Sequence, residues 1–175
     1  MATIREARVE DAPALAAAER AVAARPGRLV SRPHELRDEA FAARIAELAG
    51  GRGRYIVAEE AGAPVGHALL ESMGPEALAH VARLTIVVHP GHERRGIGEA
   101  MLRDLQAWVE RSPRTVKVEL AVRAGNEAAI ALYRKVGFRD EGRLEKRVRL
   151  PDGTLVDDVL MAWFPARQAG GGGAA

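Results

Sequence analysis

A glycine-rich segment between a predicted strand and a predicted helix has the residue types of an anion-binding loop. It runs from Val88 to Gly98 with the sequence VHPGHERRGIG. Apolar residues at 84–88 precede it, and Ile97 starts a run of apolar residues at helical spacing. Backbone N–H groups at a helix N-terminus lack intrahelical acceptors and lie at the positive end of the helix dipole, where they bind phosphate. The segment therefore predicts a phosphate cradle, with a tight turn that binds nothing as the alternative.

Two common phosphate loops do not fit this segment. Gly91 and Gly96 have the spacing of a Walker A loop, but Ile97 and Gly98 stand where that loop needs Lys and Ser or Thr. The dinucleotide-binding fingerprint also fails, because Met101 occupies the place of its third glycine. The predicted phosphate therefore belongs to another kind of ligand.

A second motif places two polar side chains on one side of a predicted helix. The helix begins after Asn126, a favourable N-cap, and ends at Gly137, which favours a left-handed turn. Asn126 and Tyr133 are seven residues apart, which brings them to nearly the same side at about 100° per residue. They are expected to face one ligand. The alternatives are that Asn126 only caps the helix and that Tyr133 only packs its ring.

The remaining patterns predict about seven strands and about four helices in an α+β order. Strands are expected at 3–8, 55–59, 64–71, 80–88, 116–122, 142–150 and 156–163. One helix runs from Asp11, as its cap, to about Ala24, and another carries apolar residues from Leu36 to Leu48. The length suits a single domain over 1–166, followed by a flexible Gly/Ala tail at 167–175.

Composition excludes several classes of function. The 26 Lys and Arg nearly balance 24 Asp and Glu, leaving a net charge of +2, and aromatic residues make up 4%. We therefore expect neither a nucleic-acid partner nor a membrane partner. The absence of cysteine excludes disulfides and thiolate nucleophiles, and five histidines without paired spacing predict no metal site. A charged N-terminal segment predicts a cytoplasmic protein, and a homodimer is one option for its assembly.

In their order and separation, the two motifs resemble those of the GCN5-related N-acetyltransferase (GNAT) family. The resemblance extends from Ile4 to Met161, and residues 141–144 and 152–153 are similar to a bacterial branch near the ribosomal-protein and phosphinothricin acetyltransferases. It implies the GNAT acyl-CoA N-acyltransferase fold with a mixed sheet. It also implies acetyl-CoA as cosubstrate, no metal, and a small-molecule or peptide amine as acceptor.

The resemblance also implies a role for each site residue. The loop binds the pyrophosphate, the main chain before it pairs with the pantetheine as an added strand, and an N–H near Val87 meets the oxyanion. Asn126 contacts the pantetheine, and Tyr133 protonates the departing thiolate. The implied cofactor contacts are Ile86, Val87, Val88, Glu93, Arg94, Arg95, Gly96, Ile97, Gly98, Asn126 and Tyr133.

Glu93 departs from the family pattern, which usually has Gln or Arg at this position. A carboxylate is repelled by a pyrophosphate, so Glu93 is expected to turn to solvent or to pair with Arg94 or Arg95. One of these two arginines is expected to contact a CoA phosphate, and the alternative is an ordinary solvated surface.

The general base is not defined by a single residue. An amine with a pKa of about 10.4 is protonated at neutral pH and must lose a proton before it attacks. Ala82 and Ala121 occupy the positions where related enzymes often carry Glu. His80 and Glu119, two residues away along the same predicted strands, are the first and second candidates. Glu71 is the third candidate and ordered water the fourth, whereas His89 and His92 are expected on the surface.

The sequence thus predicts an N-acetyltransferase in which the amine attacks acetyl-CoA directly in a ternary complex, because no residue suggests a covalent carrier. The alternative is a CoA-binding sensor of the same fold with little turnover. The acceptor is not readable from the sequence. Arg28, Arg32 and His34, in an irregular stretch, suit an acceptor that carries a carboxylate.

Overall fold

Residues 2–166, which the computed structural model describes, form a seven-stranded mixed sheet with the strand order β1-β2-β3-β4-β5-β7-β6. The predicted tail at 167–175 lies outside the described residues. The strands are β1 (Thr3–Glu6), β2 (Gly53–Glu60), β3 (Ala63–Ser72), β4 (Val81–Val88), β5 (Lys117–Arg123), β6 (Arg139–Arg149) and β7 (Leu155–Trp163).

Four α-helices accompany the sheet within this part of the chain: α1 (Ala12–Ala23), α2 (Asp38–Glu47), α3 (Ile97–Glu110) and α4 (Glu127–Lys135). Short helical turns lie at Val9–Asp11, Pro33–Glu35, Leu48–Arg52 and Glu76–Leu78. The predicted α+β fold is confirmed, as are the β2–β3 hairpin and the helix after Asn126. The first strand is shorter than expected because it ends at Glu6.

Asp11 does not cap α1 with its side chain, contrary to the expectation from sequence. Its carboxylate accepts from the backbone N–H of Arg8 at 2.7 Å and pairs with the Arg5 guanidinium at 2.7 and 2.9 Å. The Arg5 guanidinium lowers the pKa of Asp11. A charged partner thus holds the carboxylate before the helix begins.

Alternating residues divide the core between the two faces of the sheet. On β2, Ile56 and Ala58 pack in the cluster that includes α3 and α4, whereas Tyr55 and Val57 pack in the cluster that includes α1 and α2. This follows from the two-residue period of a strand. The sheet therefore separates an α3/α4 face from an α1/α2 face.

The parallel pair at the centre of the sheet is short. β4 and β5 pair only at Val81–Lys117, Ala82–Val118 and Arg83–Glu119. Beyond Arg83, β4 keeps β3 as its neighbour, and beyond Glu119, β5 keeps β7. A gap consequently opens between the second halves of β4 and β5, with the α3 N-terminus following the end of β4.

Candidate functional site

The main chain of β4 presents polar groups to this gap. The N–H of His89 donates to Val65 O, and the N–H of Met73 donates to Val81 O, both at 3.0 Å. In an antiparallel ladder, alternate residues direct their N–H and C=O groups to the same neighbour. Val87 therefore pairs with β3, while Ile86 and Val88 turn their polar groups toward the gap. Sequence had grouped the three residues together, and the register separates Val87 from the other two.

The loop after β4 is built from residues in the left-handed region. His92 N–H donates to His89 O at 3.1 Å across a turn that contains Gly91 at φ 86°. Arg94 at φ 62° and Gly96 at φ 79° follow. Residues other than glycine rarely adopt a left-handed backbone, and Arg94 adopts one within the loop that carries the predicted cradle.

The start of α3 is open to a ligand. Gly96 is the residue before the helix, and no side chain caps the helix there. The first N–H groups of α3 therefore have neither an intrahelical acceptor nor a side-chain one. A Cβ placed on Gly96 would meet no atom within 4 Å, so this residue faces open space.

Gly98, in contrast to Gly96, allows close packing of α3. A Cβ at this position would lie 3.0 Å from Leu132 Cδ2 and 3.5 Å from Val88 Cγ2. The missing side chain lets α3 approach both α4 and the end of β4. Ile97 is buried beside it in the α3/α4 core.

Glu93 is exposed, which agrees with the first of the two predicted arrangements, in which its side chain turns to solvent. Glu93 pairs with neither Arg94 nor Arg95. Its Oε2 accepts from the N–H of Gly91 at 2.8 Å, and its Oε1 lies 3.5 Å from Nη1 of Arg25. Hydrogen bonds from its own N–H and from that of Gly91 lower the pKa of Glu93.

Arg95 is also engaged away from the helix start. Its Nη2 lies 2.7 Å from Oε2 of Glu60, and its Nη1 lies 2.9 Å from Nδ1 of His92. Arg94 is exposed, and no carboxylate of the described residues lies within ion-pair distance of it. Of the two arginines, Arg94 is therefore the one with an unengaged charge.

Asn126 and Tyr133 lie on α4 as expected, in different environments. Asn126 Oδ1 accepts from Ala129 N–H at 3.4 Å, which confirms the cap, and lies 3.5 Å from Nη1 of Arg28. Tyr133 is buried in the α3/α4 core with its ring 5.7 Å from that of Phe138. Burial raises the pKa of Tyr133 to about 12, so the phenol stays protonated at any ordinary pH.

A row of charged residues crosses three strands where the β4–β5 ladder ends. Glu71 pairs with Arg83, and Arg83 pairs with Glu119, so the three side chains share one face of the sheet. The Glu71 carboxylate is held by Nη1 of Arg44 on α2 at 2.9 Å. Glu119 lies 3.5 Å from Nζ of Lys117 and remains partly exposed. Glu119 is therefore the carboxylate of this row on the strand that borders the gap.

His80 lies at the other end of the ladder. It occupies an exposed turn before β4, where its carbonyl accepts from Val116 N–H at 2.9 Å. Three residues of strand separate it from Arg83, a distance of about 10 Å. Ala82 packs in the α3/α4 core whereas Ala121 is exposed, so these two alanines face opposite sides of the sheet. Because His80 precedes the first residue pair of the β4–β5 ladder, it does not lie at the gap.

The irregular α1–α2 connection contacts the loop after β4, the start of α4 and the end of β6. Arg28 reaches Asn126, and Nη2 of Arg32 lies 3.5 Å from the carbonyl of Arg149 at the end of β6. His34 is exposed in the turn that follows. The connection thus bridges from the start of α4 to the β6–β7 hairpin.

His89 is buried, and the prediction that it lies on the surface is wrong. Its side chain contacts His67 of β3, with Nε2 2.9 Å from His67 Nδ1. The apolar run around His67 was a signal that β3 is buried, but it did not indicate a polar partner for the histidine.

Within residues 2–166, no group of three or more His, Cys, Asp or Glu could hold a metal ion. Over the same span, no helix is long and apolar enough to cross a membrane.

Residues 17–138, more than half of the chain, match the family model for the acetyltransferase (GNAT) family. The chain belongs to the GNAT family. The fold agrees, because the phosphinothricin acetyltransferase of Sinorhizobium meliloti, solved in complex with AcCoA, superimposes with a TM-score of 0.85 at 21% identity. That comparison covers 97% of this chain and 92% of the other.

Two sequence relatives are N-acetyltransferases by name. The N-alpha-acetyltransferase RimI of Mycobacterium tuberculosis is 37% identical over 104 residues, which are 59% of this chain. The match spans 63% of that relative, less than two thirds of its length. The L-amino acid N-acetyltransferase AaaT of Escherichia coli is 31% identical over 71% of this chain and 75% of that protein.

Proposed function

We propose that this GNAT protein is an acetyl-CoA-dependent N-acetyltransferase in which a primary amine attacks the thioester directly in a ternary complex. The observation that carries the proposal is the gap between β4 and β5, lined by the polar main chain of Ile86 and Val88 and continued by the open start of α3. An extended ligand with amides at one end and phosphates at the other matches both parts.

Each part of the site receives a part of the cofactor. The pantetheine amides pair with Ile86 and Val88 as an added strand, and the pyrophosphate accepts from the N–H groups of 96–98. Arg94 contributes its unengaged charge to a phosphate. Glu93 accepts from the Gly91 N–H and so organises the loop. It offers the pyrophosphate no side-chain donor, so the phosphate contacts come from backbone N–H groups and Arg94.

The reaction follows from these placements. The amine nitrogen attacks the thioester carbon, and an N–H that faces the gap, from Ile86 or Val88, stabilises the oxyanion. The C–S bond then breaks, and Tyr133 donates a hydrogen bond to the thiolate. Full proton transfer from a phenol of pKa about 12 to a thiolate whose acid has a pKa of about 8.5 is uphill, so hydrogen bonding is the larger part of its contribution.

Glu119 takes the proton that the amine releases. It lies on β5 in the last residue pair before the gap, whereas His80 lies about 10 Å from that level. Glu71 is engaged by Arg44. The geometry therefore favours Glu119 over the other two candidates.

An acceptor with a carboxylate near its amine fits the side of the gap that faces the α1–α2 connection. Arg28 and Arg32 cover that side from the α1–α2 connection. The charge of Arg123, which is buried at the end of β5, is balanced by Asp158, so Arg28 and Arg32 provide the positive charge on this side. Such a concentration of arginines favours an anionic group. The name of the Escherichia coli relative is consistent with an amino acid.

The cradle is tested by Gly96→Asp, with Gly96→Asn as its matched control. Both side chains tolerate a left-handed backbone better than most residues, and they differ mainly in charge. The parent should gain about 2.7 kcal/mol, a rise in Tm of roughly 5–10 °C, at a hundredfold excess of acetyl-CoA over Kd. Gly96→Asp should lose this shift and Gly96→Asn should keep part of it. Equal shifts in parent and Gly96→Asp would place the phosphates elsewhere.

Turnover is tested by release of the CoA thiol from acetyl-CoA over a panel of amines, each amino acid being compared with its carboxamide. The parent should release thiol with at least one amine, and faster with the free carboxylate than with the amide. Binding of acetyl-CoA without thiol release from any amine would favour the sensor. Equal rates for acid and amide would contradict the carboxylate proposal.

In that assay Glu119→Gln should lower kcat roughly a hundredfold at pH 7 and regain part of it near pH 10, where more of the acceptor is already deprotonated. His80→Ala serves as the matched control and should change kcat less than twofold, since its position is remote from the gap. If the pH profile of Glu119→Gln parallels that of the parent, ordered water takes the proton instead.

Tyr133→Phe should lower kcat roughly tenfold to a hundredfold and leave the Kd for acetyl-CoA nearly unchanged. Because burial holds the pKa of Tyr133 near 12, the neutral donor persists at alkaline pH, and the parent should show no loss of kcat from its ionisation between pH 7 and 10. The measurement is kcat against pH for both proteins. A fall near pH 9 that disappears in Tyr133→Phe would contradict this assignment.

A further inference from the structure

A chain of three side chains, Glu19 and the buried His67 and His89, connects α1 to the residue that begins the cradle loop. Oε1 of Glu19 lies 2.8 Å from Nε2 of His67, and Nδ1 of His67 lies 2.9 Å from Nε2 of His89. Nδ1 of His89 lies 3.0 Å from the carbonyl oxygen of Pro64. His67 is 0% exposed and His89 is 6% exposed, so solvent does not replace these contacts.

The chain ends on an oxygen acceptor at each side. A carbonyl oxygen only accepts, so the contact with Pro64 needs a hydrogen on Nδ1 of His89. A neutral imidazole carries one ring hydrogen, so Nε2 of that ring accepts and Nδ1 of His67 must donate to it. In a neutral His67 the remaining Nε2 is then an acceptor, and it faces the carboxylate of Glu19.

Three contacts therefore need three hydrogens, and two neutral imidazoles supply two. Running the chain in the opposite direction gives the same count, because the unpaired nitrogen then faces Pro64. Two acceptors at 2.8 Å inside the protein repel each other and leave both unsatisfied, a costly arrangement. One additional proton in the chain satisfies all three contacts.

The extra proton belongs to the Glu19–His67 contact. Burial, followed by the neighbouring His67, lowers the pKa of His89 to about 4, so His89 is neutral at neutral pH. Glu19, with a side chain only 12% exposed, provides the negative charge beside His67. The other titratable groups around the chain are Tyr55 on β2, Arg44 on α2, Asp11 before α1 and His92 on the loop.

The chain is connected to the site through His89. The backbone N–H of this residue donates to Val65 O, and its carbonyl accepts from His92 N–H in the turn that leads to Gly96. The side chain adds contacts with His67 and Pro64. Hydrogen bonds thus fix both the main chain and the side chain of His89, where the cradle loop begins.

We propose that Glu19, His67 and His89 are positioning residues, that His67 holds one stored proton as an imidazolium beside Glu19, and that this proton keeps the start of the cradle loop in its ligand-binding geometry. The effect on acetyl-CoA rests on the proposed function, whereas the proton itself does not. When the proton leaves, one hydrogen bond of the chain is lost and the affinity for acetyl-CoA should fall about fivefold.

Glu19→Gln separates the stored proton from the contact. The glutamine amide donates a hydrogen to Nε2 of His67, so all three contacts are made with two neutral imidazoles. Glu19→Ala removes the contact altogether. The first variant should retain tight binding at every pH, and the second should bind weakly at every pH.

The test has two readouts on the full chain. Histidine ¹⁵N NMR of the unliganded protein at pH 8 should show one imidazolium, assigned by its loss in His67→Asn and absent from Glu19→Gln. Calorimetry should show a parent Kd for acetyl-CoA that rises about fivefold as that signal titrates, with kcat nearly unchanged, and a Kd for Glu19→Gln that does not follow it.

Each failure has a distinct meaning. If all histidines of the parent are neutral at pH 8, His67 is not an imidazolium and the proposal is overturned. If the imidazolium is present but parent and Glu19→Gln show the same pH dependence of Kd, the proton does not position the cradle. If the parent does not bind acetyl-CoA at any pH, the proposed function fails, and the NMR result still decides whether the proton is stored.

Discussion

The early end of the β4–β5 ladder is the constraint on which the rest of the site depends. Main-chain N–H and C=O groups inside a protein need partners, and after Arg83 the groups of β4 that point toward β5 have no strand to receive them. In the proposed function, the pantetheine amides of acetyl-CoA pair with these groups, and the reaction takes place where the two strands separate.

The loop after β4 has the same importance for the proposed phosphate contacts. Left-handed residues at Gly91, Arg94 and Gly96 turn the chain into α3 without a capping side chain, so the first N–H groups of the helix have no side-chain acceptor, and in the proposed function they bind the pyrophosphate. Gly98 lets the helix pack against Leu132 and the end of β4. Two side-chain contacts also fix this loop. Glu93 accepts from the Gly91 N–H, and the His89 side chain contacts His67.

Local patterns were enough to predict most of the elements and the glycine-rich turn that joins β4 to α3. The alternation in β2 and β3, the helical spacing after Ile97 and the cap at Asn126 are properties of neighbouring residues, so they are visible in sequence. The direction of the Val87 main chain is not, because it depends on the register with β3. The partner of Glu93 is Arg25, 68 positions earlier, and no local pattern indicates that contact.

The same limit applies to the proton-handling residues. In sequence, His80 ranked ahead of Glu119, each two positions from an alanine, and the proposed function reverses this order because of the point where β4 and β5 separate. His89 looked exposed beside Pro90 and Gly91, and its burial depends on His67 and Glu19 from two distant elements. The burial of His89 and the position of Glu119 beside the gap therefore depend on long-range pairing, which local sequence patterns do not show.

Amide hydrogen exchange at β4 tests the central claim, that the gap is completed by acetyl-CoA as an added strand. Without ligand, the N–H groups of Ile86 and Val88 should exchange faster than that of Val87, which is paired with β3. Saturating acetyl-CoA should slow exchange at Ile86 or Val88 and leave Val87 nearly unchanged. Unchanged exchange at both Ile86 and Val88 in the presence of bound acetyl-CoA would contradict the account.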